Sequence, residues 1–161
     1  MSNVDQIDLI RRCTFGMELA SGDCEVLGRA TETRELEEGQ VLFSEGAADQ
    51  ELYIVILGKL GIVKGTGGGD ETVLHMLGEG DLAGELAFID GTPHSVTVKA
   101  LTRARVLTLE RKKFESLVES HPRVVYDVMR SIVRRVHSTL RRLNLQYIEL
   151  TNYITKSHGR Y

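Results

Sequence analysis

The chain predicts a mainly β domain, a small sandwich or barrel with helices at both ends, on three observations. From Thr33 short apolar runs alternate with glycine turns; a single helical turn at residues 86–89 interrupts them; and after Pro122, as far as Ile154, neither Gly nor Pro occurs. Short strands separated by turns at this spacing favour a sandwich or barrel over alternating βαβ units. At 161 residues, 42% hydrophobic and 27% charged, the chain is read as one domain, 1–161, around one core.

In order along the chain, Val4, Ile7, Leu9 and Ile10 are spaced for a short amphipathic helix, and Ser21, ahead of Gly22-Asp23-Cys24-Glu25, reads as the cap of a second. Residues 1–32 are therefore packing helices. Residues 33–110 carry strands at 35–37, 41–44, 52–57, 62–63 and 72–77, with turns at Gly39, 46–50, Gly58 and Gly61. The glycine-rich stretch 65–70 lacks the Gly-Lys-Ser/Thr ending of a phosphate loop and reads as a hairpin tip.

After a last strand at 105–109, residues 112–119 show a helical pattern with Phe114, Leu117 and Val118, and Pro122 sits where a new helix would start. The C-terminal section, 111–161, is thus helical. Met129, Val133, Val136, Leu140, Leu143, Tyr147, Leu150 and Ile154 are spaced alternately by four and three, an a/d seam. A helix over 123–154 would be about 48 Å long, more apolar face than one small β domain covers. The expectation is a homodimer, with Val133, Val136, Leu140, Leu143, Tyr147, Leu150 and Ile154 at the interface. Val125, Val128 and Ile132 would face the helix's own domain, and Arg134, Arg135, Arg141 and Arg142 would be solvated flanks. A helix folded back on its own domain is the alternative.

Composition excludes several roles. A net charge of −3 gives no general footprint for nucleic acid, and no apolar run approaches the ~20 residues that span a bilayer. No secretory leader pattern opens the chain, so the expected address is cytoplasmic. Cys13 and Cys24 have no metal spacing and read as two reduced thiols, partly buried beside helices.

The informative stretch is 84–98, GELAFIDGTPHSVTV. Gly84 permits backbone geometry closed to other residues, and the amides after it, opening a short helix, can converge on an anion. Glu85 repels such an anion, so its partner would be a hydroxyl such as that of a ribose. Together these features suggest a nucleotide.

The stretch resembles the phosphate-binding cassette of cyclic nucleotide-binding domains, matching at Gly84, Glu85, Leu86, Ala87, Pro93, Ser95, Thr97 and Val98. Gly39, Gly58 and Gly61 also match turn glycines of that family. The resemblance implies a β-jelly-roll barrel (double-stranded β-helix) with N-terminal helices and a long C-terminal dimerisation helix. It implies that Glu85 accepts the ribose 2′-hydroxyl, that the amides of Leu86 and Ala87 face the phosphate with Gly84 allowing the approach, and that His94 and Ser95 contact it. Thr139 matches the first residue of a Thr-Ser pair that reads the adenine in bacterial members; Leu140 replaces the serine.

His94 departs from the pattern, since the family carries arginine there. Arginine offers a charged planar fork, whereas a neutral histidine offers one donor, so the expected affinity is lower by about an order of magnitude or more. Other readings of these residues stay open at this point: Glu85 capping backbone amides, His94 satisfied beside Glu85 in an empty pocket, Ser95 and Thr97 as barrel residues.

The function expected is a regulatory module for cyclic AMP or cyclic GMP that signals through the long helix to an unknown effector protein. It is expected to be no enzyme, to need no cofactor, and to touch neither membrane nor, directly, nucleic acid, because only about seven residues follow the helix. Two alternatives stand beside it. One is a ligand-free dimerisation or scaffold domain; the other is a cupin-type metalloenzyme using His75, Glu79, Glu85 and His94.

Overall fold

The computed structural model describes residues 3–13, 16–65 and 71–157. Two helices open it, α1 (Asn3–Arg12) and α2 (Ser21–Ala30), with a 3-10 turn at Gly16–Glu18 between them. Eight strands follow: β1 (Thr31–Leu36), β2 (Val41–Phe43), β3 (Glu51–Leu57), β4 (Leu60–Gly65), β5 (Glu71–Leu77), β6 (Leu82–Ala83), β7 (Thr97–Ala100) and β8 (Ala104–Glu110). The helix α3 (Glu85–Asp90) lies between β6 and β7, and α4 (Arg111–Glu115), α5 (Leu117–Ser120) and α6 (Pro122–Ser157) close the chain. The expected tip at 65–70 falls almost wholly outside the described residues.

The strands form two antiparallel four-stranded sheets, ordered β1-β8-β3-β6 and β2-β7-β4-β5. Among the described residues they do not close into the expected barrel; each keeps its own edges. The first sheet is the middle layer of the molecule. Along β3, Tyr53 and Val55 pack with Leu60, Val98 and Ala100 of the second sheet, while Leu52, Ile54 and Ile56 pack under the helices with Leu27, Phe114, Val128 and Ile132. Both faces of β3 are dry, which is why its sequence, ELYIVIL, is a continuous apolar run with no polar alternation. The middle sheet continues in register through β8, where Leu107 sits opposite Ile54 of β3 and Thr33 of β1.

Several expectations need correction. Ser21 is already the first residue of α2; Ala20 is the cap, its carbonyl accepting from the amides of Asp23 and Cys24, with no side-chain cap bond. The helix read at 112–119 is broken at Ser116, whose hydroxyl bonds the Lys113 carbonyl, and Val118 is exposed. On α6 the stripe facing the domain is Val124, Val128 and Ile132, with Val125 and Met129 half-buried against the same core. Met129 thus belongs to the domain and not to the seam. Both cysteines are fully buried and reduced.

Beyond Ile132, α6 leaves the core. At 36 residues it runs about 54 Å, and the seam side chains from Val133 to Ile154 are between 39% and 71% exposed in the single chain. None of the described helices is long and apolar enough to cross a membrane.

Candidate functional site: the cassette and the long helix

Gly84 begins the site. Its φ of +82° is left-handed, and a Cβ placed there would lie 2.5 Å from the Glu51 carbonyl oxygen and 3.4 Å from Cε1 of His94. Only glycine allows β6 to turn this tightly into α3. The helix then lasts six residues, closed by a second left-handed glycine, Gly91, whose amide bonds the Ala87 carbonyl. Its first amides, including those of Leu86 and Ala87, have no acceptor within the helix.

The chain returns through Pro93 and is pinned at His94 by two backbone bonds to the β2–β3 turn. The His94 amide donates to the Ala47 carbonyl at 2.9 Å, and the Gly46 amide donates to the His94 carbonyl at 2.7 Å. The His94 side chain is buried. Its ring lies flat on Phe43, centroids 3.7 Å apart, and Nε2 is 2.8 Å from Oδ1 of Asp49. Phe43 stacks in turn on Tyr53, whose hydroxyl donates to Oε2 of Glu51 at 2.8 Å. Burial, helped by Glu51 and Asp49, pushes the Tyr53 hydroxyl well above its ordinary range.

A cavity of about 330 Å³ opens over this floor, lined by the cassette from Gly84 to Ala87 and from Thr92 to Val96, with Phe43 beneath. Ser95 is exposed at its rim. Thr97 does not enter it: its hydroxyl accepts from the Glu45 amide at 2.9 Å, a structural role.

Glu85 and Leu86 also line a second, mostly apolar cavity of about 520 Å³ against α6, with Ile132, Val136, Thr139 and Leu140 on the far side. A third, small and polar, holds Glu85, Asp81, Arg135 and Thr139. Glu85 is therefore common to all three. Burial pushes its carboxyl above the usual range, offset in part by its own backbone amide and reinforced by Asp81. Glu85 and Thr139, 54 positions apart in sequence, are brought to one cleft, whereas His94 and Ser95 line, again with Glu85, the cavity over Phe43.

Three residues were not legible as site members. Asp49 lies in a turn of unremarkable composition, and Phe43 reads as one more strand apolar. Arg135 looked like a solvated flank, yet it is only one-fifth exposed, reaches Glu18 at 3.5 Å, and turns into the small cavity beside Glu85. Arg142 is likewise engaged: its Nη2 donates to Nε2 of His75 on β5 at 2.7 Å. His75 and His94 thus serve different partners, and no group of three metal-ligating side chains occurs among the described residues.

The site is thus a pair of sheets carrying a short helix bounded by two left-handed glycines, with the first turns of a long helix packed under the middle sheet. The sequence profile described as "Cyclic nucleotide-binding domain" matches residues 33–121, and the chain belongs to that family. It is 30% identical over 101 residues to the CRP-like cAMP-activated global transcriptional regulator of Mycobacterium tuberculosis, covering 63% of this chain and 45% of that protein. Among solved structures it is similar to the N-terminal domain of a transcriptional regulator from Streptomyces coelicolor (28% identical, TM-score 0.69, covering 84% of this chain and 95% of that one). It is also similar to the catabolite activator protein of Thermus thermophilus (26%, TM-score 0.65, 88% and 64%). The chain spans less than half the length of the mycobacterial regulator.

Proposed function

We propose that the chain is a regulatory module whose cleft between cassette and α6 takes cyclic AMP or cyclic GMP and reports its occupancy along α6 to a second copy. Glu85 carries this reading: a half-buried acid with a raised pKa and no side-chain hydrogen bond among the described residues, where the cassette cavity meets the helix cavity. In the ligand complex Glu85 accepts the ribose 2′-hydroxyl, the amides of Leu86 and Ala87 and the hydroxyl of Ser95 face the cyclic phosphate, and Thr139 meets the base. On this reading the two sheets are halves of a jelly roll, and the protein is a cytoplasmic dimer without catalytic activity.

Occupancy can move α6 only if the ligand binds its two arrangements with different affinity. Contact of one ligand with both α3 and α6 supplies that difference. The effector is a protein that reads the position of α6. A second reading, a ligand-free dimerisation domain, is favoured by one observation: His94 already has a partner in Asp49. Calorimetric titration with cyclic AMP and cyclic GMP separates the two. Saturable heat with either supports the module; no heat with both at millimolar concentration leaves only the ligand-free domain.

A further inference from the structure

The cassette histidine does not act alone. Asp49 and His94 come from segments 45 residues apart, and the two backbone bonds between the β2–β3 turn and His94 clamp those segments together. Within the clamp, Phe43 fixes the plane of the ring and Asp49 takes Nε2. With the Asp49 carboxyl oxygen as the acceptor of this bond, Nε2 is the donor and carries a hydrogen. The Nδ1 atom has no hydrogen-bond partner among the described residues, and the ring lines the cassette cavity. In a neutral ring whose hydrogen is on Nε2, Nδ1 presents a lone pair, which repels a phosphate oxygen. Only the imidazolium presents an N–H at both nitrogens.

We propose that Asp49 and His94 form a single phosphate-binding unit that replaces the missing guanidinium, and that each cyclic nucleotide bound draws one proton from solvent onto Nδ1 of His94. This rests on the reading that the cavity takes a cyclic nucleotide. Asp49 is the positioning residue, accepting from Nε2 so that Nδ1 is left for the ligand. The proton returns to solvent on release. A cyclic phosphodiester keeps one negative charge throughout the neutral range, so the proton is not the ligand's own. Among the described residues the other titratable groups near the ring are Glu51 and Tyr53 on β3, which bond each other, and Glu85 of α3, which lines the same cavity; Glu45 of the same turn is paired with Lys64 of β4. All are retained in the variants below, so differences between chains isolate the Asp49–His94 unit.

The test is calorimetric titration of the full chain with cyclic AMP, cyclic GMP and adenosine between about pH 5.5 and about pH 8.5, spanning the ordinary histidine range. Each titration is run in two buffers of different ionisation enthalpy. On the alkaline side of the transition the native chain takes up close to one proton per cyclic nucleotide and its Kd rises about tenfold per pH unit, while on the acid side, where the free imidazole is already protonated, the uptake falls towards zero. His94→Arg binds with no proton uptake in this window, because its guanidinium stays charged. Asp49→Asn weakens cyclic nucleotide binding at pH 7 about tenfold and leaves adenosine, which has no phosphate, unaffected. Native binding without proton uptake on the alkaline side overturns the proposal, as does an Asp49→Asn chain that loses adenosine as much as cyclic AMP. Binding by His94→Arg with none by the native chain at any pH overturns the proton-linked unit but spares the site. Binding by neither chain overturns the reading on which it rests.

Discussion

Gly84 and Glu85 show how much one residue decides here. Replacing Gly84 with alanine puts a Cβ 2.5 Å from a backbone carbonyl at a left-handed φ, so the turn must open. Gly84→Ala is expected to lose about 1–3 kcal/mol in urea unfolding, the cost of one strained backbone residue. Glu85 works in the other direction. Its folded pKa is raised by burial, so the folded state holds a proton more tightly than the unfolded chain, and stability falls as pH rises through the carboxylate range. Glu85→Gln removes that penalty. It raises Tm at pH 7, the gain shrinks as pH falls from the raised folded value towards the ordinary carboxylate value near ~4.3 and is gone below it, and on the proposed reading ligand affinity drops because a neutral amide oxygen is a weaker acceptor for the ribose hydroxyl than a carboxylate. Glycine, acid and small residues at fixed spacing made this part of the site legible in the sequence. Asp49 was not, because a turn's composition reports that the chain reverses and not what it reverses against.

At the scale of elements, α6 performs two tasks that its sequence only half separates. Its first three turns close the core under the middle sheet through Val124, Val128 and Ile132. Ile132→Ala is expected to cost about 2–5 kcal/mol, since its side chain is fully buried. The same region carries Asp127, a buried side chain held by Arg123 at 2.8 Å and Arg130 at 3.0 Å. The hydrogen bond from Arg123 is the main reason its carboxyl lies below the usual range. A depressed acid stabilises the fold above its unfolded pKa and loses that contribution as pH falls through the folded value. Asp127→Asn is therefore less stable than the native chain at neutral pH, and thermal melts of the two converge on acidification. Heptad spacing announced the helix and its Pro122 start, and the strand-and-turn texture announced the sheets. Periodicity could not say where the domain-facing stripe ends, because Val124, Val125 and Met129 are all apolar and only packing chooses among them.

Seen whole, the molecule is three layers, helices over the middle sheet over the outer sheet, from which one long helix projects. Much of that helix is uncovered apolar surface: the seam from Val133 to Ile154 is joined by exposed Leu145, Ile148 and Tyr153. A surface of this kind is what the proposed dimer would cover. Leu143→Glu, a seam position that lines none of the site's cavities, is expected to turn a dimer into a monomer by sedimentation equilibrium while leaving the thermal unfolding of the β domain intact. The proposed ligand cleft and the exposed seam meet at Val133 to Leu140, so on this reading occupancy and assembly share one stretch of helix. The most direct measurement of that coupling is an amide chemical-shift titration of the labelled protein with cyclic AMP and with cyclic GMP. A shared cleft predicts saturable shifts with at least one of them, both in the cassette, at 84–87 and 94–97, and on α6 at 132–140. Shifts absent from both regions at millimolar ligand, or confined to residues outside them, would contradict it.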